Sequence, residues 1–494
     1  MRKAGILLPI TSLPSDYGIG GFTESAYRFI DFLEKSGQSF WQILPIGPTS
    51  FGDSPYQSPS AFAGNPYMIS LKKLAEDGLL EKHEFENADF GDIKTDIDYE
   101  KLYLTRFDIL KKAYSRFNTN DWEYQQFLNS NNFWLPDYAF FMSLKIYFDE
   151  KPWQKWPEDI AKREASALTK YRDILKDEIE FWQFLQYEFF KGWFDIKRYA
   201  NERGIKIIGD MPIYTAMDSS DVWQNPHLFQ LDENLSPIAV AGCPPDGFSA
   251  EGQLWGNPLY NWQAHKNQGY DWWIKRISNC LTMFDMVRID HFRGFDEYYA
   301  IPYPAVNAVH GAWEKGPGID LFNALGRFAD KDKIIAEDLG FITDSVKTLL
   351  AETGFSGIKV LEFAFDSRDE NAKNDYLPHN YPENSVCYTG THDNQTLVSW
   401  IQTISPDEQK MVRDYLADYY TPLEKLNIPL ISLILRSPSE ISIIPIQDYM
   451  SLDDSARINT PSTLGTNWRW RLKKEDLTDE LSEKILKMTR LSGR

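Results

Sequence analysis

The chain has 494 residues, 43% of them hydrophobic and 25% charged, enough to bury a large core in one oversized barrel or in more than one domain. Its formal net charge of −20 argues against nucleic acid and anionic membrane surfaces as partners, because phosphate binding needs clustered Lys and Arg. Three cysteines (Cys243, Cys280 and Cys387) give neither a disulfide framework nor metal-ligand spacing and suit a reducing compartment.

The first element is an apolar run, Ala4–Ile10, behind Arg2 and Lys3. It mimics a leader peptide, but Pro9 interrupts it and no small-residue cleavage site follows, so it reads as a strand. A helix follows, with Ala26, Phe29, Ile30 and Leu33 on one face, Thr23 placed to cap it and Gly37 to end it. Phe40–Gly47 is a second strand. Residues 48–204 carry amphipathic helices such as Tyr99–Phe117 and Ile179–Arg203 and are expected to form a mainly helical insertion subdomain. After a third strand, Ile205–Tyr214, residues 215–284 are rich in Trp, Asn, Pro and Gly. They are expected to be a loop-rich insertion covering the active site, since loops this long usually carry function.

Five more apolar runs complete the chain: Asp285–Phe292, Lys333–Gly340, Gly357–Phe365, Ser385–Asp393 and Ile441–Met450. After Lys333–Gly340, Val346, Leu349 and Leu350 share a helical face between Thr343, a plausible cap, and Gly354, a stop. Several of the runs are continuous rather than alternating, the mark of strands buried on both faces. Eight strands interleaved with helices predict an α/β fold: one (β/α)8 TIM barrel over residues 1–494, with the helical insertion between strands 2 and 3 and the loop insertion after strand 3. No run approaches the roughly 18 apolar residues of a membrane span.

Four of these strands end in an acid: Asp210 in IIGDMPIY, Asp290 in VRIDHFRG, Glu337 in IIAEDLG and Asp393 in TGTHDNQT. The C-terminal strand ends of a barrel converge on one mouth, so these carboxylates are expected to meet there. A lone strand-end Asp is also a common helix cap, but four at four strand ends ask for chemistry. A carboxylate pair across one pocket cleaves glycosidic bonds, one attacking the sugar and the other protonating the leaving oxygen. Arg288, two residues before Asp290, shares its face of the strand. It is expected to keep Asp290 ionised, while burial and like charge raise Glu337. The 16 Trp and 26 Tyr offer faces for sugar stacking as well as core. No HExxH, GxGxxG or P-loop motif occurs, and metal at His392 has no second His nearby to support it.

DMPIY, RIDHFRG, AEDLG and GTHDNQT resemble the conserved regions of the α-amylase superfamily. LLPITSLPSDYGIG, SPYQSPSAFAGNPY, PPDGFSAEGQLWGNPLY and RINTPSTLGTNWRWRL are similar to segments particular to the amylomaltases, or disproportionating enzymes, of glycoside hydrolase family 77. The likeness spans about residue 4 to residue 472. It implies a retaining 4-alpha-glucanotransferase that needs no metal or organic cofactor. Asp290 resembles the nucleophile, Glu337 the general acid/base and Asp393 the third carboxylate, which binds sugar hydroxyls. Arg288 and His392 resemble the flanking subsite ligands, and Asp210 the superfamily's first Asp. Tyr56 resembles an acceptor-side aromatic. Asp246, Gln253 and Trp255 match the loop arching over the site, and Asn459 a position near the donor sugars. The implied substrates and acceptors are maltodextrin, maltose and glucose, handled in the cytoplasm by a monomer or homodimer. The competing readings are an α-glucan hydrolase or branching enzyme of the same superfamily, and an inactive glucan-binding protein.

Overall fold

A computed structural model describes residues 2–91, 94–245, 249–326, 328–369 and 373–494, apart from the Phe51 side chain. Its named strands are β1 (Lys3–Leu7), β2 (Phe40–Gln42), β3 (Lys206–Met211), β4 (Ala239–Cys243), β5 (Gln253–Pro258), β6 (Met286–Ile289), β7 (Glu297–Pro302), β8 (Ala312–Lys315), β9 (Ile334–Ala336), β10 (Ser356–Val360), β11 (Ser385–Tyr388) and β12 (Ile441–Pro445). Eight of them close a parallel barrel in the order β1-β12-β11-β10-β9-β6-β3-β2. These are the eight runs read from the sequence, and the (β/α)8 expectation holds. Every residue of β2, β6, β9, β11 and β12 is buried, which is why their apolar runs are continuous: side chains on one face fill the barrel and those on the other meet helices. Leu7, Phe40, Ile208, Met286, Ile335, Ile358, Val386 and Ile443 form that inner cluster.

The regular strands are shorter than the apolar runs. β1 ends at Leu7, and Ile10–Ser12 forms a 3-10 turn after Pro9, whose missing N–H cannot continue a ladder. Past β2 the Ile43 N–H still donates to Ile208 O at 2.9 Å, and the chain then leaves the ladder in a stretch bearing Pro45. Between β2 and β3 the chain is mainly helical, with helices Tyr99–Ser115, Leu135–Tyr147 and Lys176–Glu202. Two of these lie within a few residues of the spans read from periodicity. Gly37 is left-handed (φ 70°) past the helix Glu24–Lys35, but Thr23 makes no side-chain cap bond there. Thr343 does cap its helix, accepting from the Val346 N–H, and Gly354 closes it at φ 70°.

Residues 215–284 hold more regular structure than their composition suggests: β4, β5 and the helices Trp262–Asn267 and Asp271–Met283. β4 and β5 join β7 and β8 in an antiparallel sheet of order β5-β4-β7-β8. That sheet was not visible in the sequence, because its partners lie on opposite sides of a barrel strand. It ties the third βα connection to the fourth and carries Gln253 and Trp255 on β5.

One glycine sets the packing under the site. At Gly209, beside Asp210 on β3, a Cβ would stand 2.1 Å from the Phe284 ring. Gly209→Ala is therefore expected to cost about 1–3 kcal/mol through overpacking. A thermal melt should show the loss, with partial recovery in Gly209→Ala/Phe284→Leu. An unchanged Tm for the single variant would contradict this packing.

Candidate active site

The floor of the barrel mouth is built from backbone register. β3 and β6 pair with Asp210 opposite Arg288, and β6 and β9 pair with Ile289 opposite Ala336. Asp290 and Glu337 are each the next residue, so two carboxylates leave adjacent strand ends at the same height. The Asp290 N–H donates to Met211 O and the Glu337 N–H to Ile289 O, both at 3.0 Å, which extends the pairing through these positions.

Arg288 is the cation of the cluster and is only 3% exposed. Its Nη1 donates to both oxygens of Asp210, at 2.7 and 2.8 Å, and its Nη2 lies 3.0 Å from Asp290 Oδ1. Tyr56 completes Asp210, its hydroxyl donating to Oδ2 at 2.7 Å. Asp210 is thus a pillar for Arg288, and Arg288 fixes one oxygen of Asp290. Much of the guanidinium is already committed to Asp210. It pulls the Asp290 pKa down, but burial and the neighbouring Asp210 and Asp393 charges win, and the group is pushed up to about 7. Arg288 therefore restrains the rise rather than reversing it, a weaker hold on the ionised form than the sequence alone suggests.

Glu337 is held by the main chain. The His291 N–H donates to Oε2 at 2.6 Å and the Leu339 N–H to Oε1 at 2.9 Å. His291 reaches this position in the left-handed conformation, φ 53°, which is sparsely populated by a residue with a Cβ and must be held by its surroundings. These amides and Arg288 favour the carboxylate, yet burial and the charge of Asp290 outweigh them and push Glu337 up to about 8. Both carboxyls are thus raised by burial, Asp290 with a guanidinium on it and Glu337 with two main-chain N–H groups.

Asp393 projects from the turn after β11, its side chain 42% exposed to the cleft. Asn459 Nδ2 donates to its Oδ1 at 2.6 Å, His392 Nε2 lies 3.3 Å from Oδ2, and Arg457 Nη2 donates to its main-chain oxygen at 2.6 Å. The His392 ring stacks on Tyr56 with centroids 5.2 Å apart, and burial depresses its pKa, which favours the neutral imidazole. Above Glu337, Trp255 stands edge-on to the His291 ring at 4.8 Å, and its indole N–H donates to Gln253 Oε1 at 3.0 Å.

Asp210, Arg288, Asp290, Glu337, Tyr56, His392, Asp393, Asn459, Gln253 and Trp255 thus form one contact network. Asp246 lies outside the described residues. Sequence reasoning passed over His291, Arg457 and Trp468. The first two sit inside quoted motifs, one residue after Asp290 and two before Asn459. Trp468 also lies in a quoted segment, RINTPSTLGTNWRWRL, but its neighbours in the chain do not reveal its partners: it meets Tyr56 at 5.7 Å and His392 at 5.9 Å across three distant chain segments. No group of three or more metal-ligating side chains occurs among the described residues.

Comparison with known proteins gives a consistent picture. A family model described as 4-alpha-glucanotransferase, of glycoside hydrolase family 77, matches residues 8–478. A curated 4-alpha-glucanotransferase from Clostridium butyricum is 47% identical, covering 98% of this chain and 99% of its own. One from Thermus thermophilus is 42% identical, covering 100% and 99%. An amylomaltase from Streptococcus agalactiae, solved in complex with acarbose, superposes with TM-score 0.96 at 41% identity, covering all of both chains. The more distant amylomaltase from Corynebacterium glutamicum shares the fold at TM-score 0.79 and 18% identity, over 99% of this chain and 75% of its own.

The raised pKa of Glu337 has a thermodynamic consequence. A carboxyl whose pKa rises from 4.5 to about 8 on folding contributes stability at low pH and loses it as the pH climbs through the folded value. Gln does not titrate. The Tm of Glu337→Gln minus that of the parent should therefore increase between about pH 5 and about pH 9. A difference independent of pH would mean that the folded site does not raise this group.

Proposed function

We propose, from the premise that this chain belongs to the 4-alpha-glucanotransferases of glycoside hydrolase family 77, that it moves α-1,4-glucan segments by double displacement, with Asp290 as nucleophile and Glu337 as acid and base. The chain is a 4-alpha-glucanotransferase; the assignment of steps to residues is our reading. The observation that carries it is the placing of Asp290 and Glu337 on adjacent strand ends at equal height, one anchored by Arg288 and the other by two main-chain N–H groups.

In the first step an Asp290 oxygen bonds to the anomeric carbon of the donor. The bond to the glycosidic oxygen breaks, and Glu337 gives that oxygen its proton, so the reducing-end fragment leaves as an alcohol. In the second step Glu337 takes the proton of an acceptor 4-hydroxyl, whose oxygen displaces Asp290 from the same carbon. Two inversions return the α configuration, as in other retaining enzymes that work with a carboxyl pair. The guanidinium on Asp290 suits a nucleophile that must be ionised, and the burial that raises Glu337 suits a partner that keeps a proton. Asp393, with His392 and Asn459, holds hydroxyls of the donor sugar at the cleavage point. Asp210 and Tyr56 hold Arg288 from below. Trp255 and Gln253 roof the acceptor side, where an oriented sugar hydroxyl outcompetes water through its effective concentration. Binding of acarbose, a sugar analogue, by the Streptococcus agalactiae amylomaltase supports an oligosaccharide in this cleft.

Maltodextrin, maltose and glucose are the substrates and acceptors of this reading, uncharged molecules that a chain of net charge −20 does not repel. No described helix is long and apolar enough to cross a membrane. Together with a sparse count of three cysteines, this supports the proposal of a cytoplasmic enzyme of carbohydrate metabolism.

Maltotriose alone should yield glucose and longer maltodextrins with reducing ends conserved. Asp290→Asn should lower this transfer by at least about four orders of magnitude, as loss of a covalent catalyst does; more than a few per cent residual transfer removes Asp290 from the role. Glu337→Gln should be far less impaired with α-maltosyl fluoride as donor, since fluoride leaves without a proton; equal impairment on both donors removes Glu337 as acid. Trp255→Ala should raise the ratio of reducing ends released to segments transferred, measured by chromatography against a reducing-sugar assay. An unchanged ratio would show that this side chain does not govern water.

A further inference from the structure

Beneath the turn that carries His392 and Asp393 lies an acidic residue for which the two-step chemistry has no use. Glu362 sits in the 3-10 turn Leu361–Phe363 directly after β10. Its Oε2 accepts a hydrogen bond from Asn394 Nδ2 at 3.0 Å. Its Oε1 is sealed from solvent and has no hydrogen-bond partner among the described residues. Asn394 turns its other end to Thr391, whose N–H and hydroxyl both donate to Oδ1 at 2.9 Å. The Thr391 hydroxyl oxygen in turn accepts from the Asp393 N–H at 3.3 Å. Gly390 lies directly on the carboxyl, since a Cβ there would be 2.8 Å from Oε1. The chain of contacts therefore runs from β10 through Glu362, Asn394 and Thr391 to the backbone of Asp393.

We propose that Glu362 is a positioning residue for glucan transfer: by gripping Asn394 it locks the Thr391–Asn394 turn in the one shape that presents His392 and Asp393 to the donor sugar. The inference rests on Asp393 being a substrate-holding residue, as proposed above. The charged groups around Glu362 are Asp448 and Asp454, from the segment after β12, and Arg457. Asp448 is occupied by the Thr389 hydroxyl at 2.5 Å and the Leu397 N–H at 2.8 Å. Asp454 is occupied by Gln395 and the Thr396 N–H. Arg457 Nη2 is spent on the Asp393 carbonyl. Among the described residues the Glu362 carboxyl has Asn394 as its hydrogen-bond partner, and burial together with the Asp448 charge raises its pKa well above the usual carboxylate range. What Glu362 gives Asn394 is one acceptor oxygen, which burial lets a neutral group supply, as a glutamine carbonyl would. An apolar or truncated side chain would leave the Asn394 amide unanswered and the turn free to shift, and displacements of about 1 Å at such a site cost on the order of a hundredfold in rate.

The test is steady-state kinetics on maltotriose, with Tm measured alongside, for Glu362→Gln, Glu362→Ala, Asn394→Ala, the Glu362→Ala/Asn394→Ala double variant and Asp393→Asn. Glu362→Gln is expected within about threefold of the parent. Glu362→Ala and Asn394→Ala are each expected to lose about tenfold or more in kcat/KM, and the double variant no more than the worse single one, since both act through one contact. Asn394 is half-buried and keeps the test open if Glu362→Ala does not fold. Full activity in Asn394→Ala, losses that multiply in the double variant, or a Glu362→Gln as impaired as Glu362→Ala would each overturn the brace. An inactive Asp393→Asn beside a fully active Asn394→Ala removes the brace alone. A fully active Asp393→Asn removes the reading of the site on which the brace rests.

Discussion

A single buried guanidinium organises this molecule's chemistry. Arg288 is surrounded by protein at the floor of the barrel mouth, with Asp210 taking Nη1 and Asp290 beside Nη2. A desolvated charge of this kind is tolerable only when its partners are in place, and stripping one away leaves an uncompensated ion worth several kcal/mol. The pairing of Asp210 with Arg288 across β3 and β6 is therefore both a structural requirement and the reference from which Asp290 is placed. A slip of one residue in that register would turn Arg288 to the opposite face, and the site would cease to exist.

From this base Asp290 and Glu337 are held by different means. Asp290 is set by the side-chain network. Glu337 is set by main-chain amides, one of them presented by a left-handed His291. Neither hold cancels the effect of burial, and both carboxyls stay protonated to higher pH than free acids do. The cluster is expensive to ionise for the same reason that it is useful: few waters compete with the fixed dipoles and charges when a sugar is bound.

The insertions supply what a bare barrel lacks. The antiparallel sheet formed by β4, β5, β7 and β8 carries Trp255 out over His291, and the segment after β2 lays Tyr56 on His392 and Asp210. Asn459 and Trp468 arrive from beyond the last barrel strand. The cleft is therefore assembled from three remote stretches of chain around the floor that Arg288 organises.

The sequence by itself determined the barrel strands and their order along the chain, because a strand buried on both faces must be apolar at every position, and runs such as IKIIGDMPI and KIIAEDL have no other stable setting in water. It also marked the acids, since Asp210, Asp290, Glu337 and Asp393 interrupt or end those runs at four strand ends that a barrel brings to one mouth. What only the tertiary structure decided was everything that depends on pairing between distant segments. The second sheet joins strands separated by a barrel strand. Thr23, well placed to cap a helix, makes no such bond. Trp468, although inside a quoted segment, finds Tyr56 and His392 only through folding, and Arg288 divides itself between two aspartates instead of serving one. Periodicity and propensity report on a residue's nearest chain neighbours, whereas ion pairing, ring contacts and desolvation are set by groups that folding alone brings within a few ångströms.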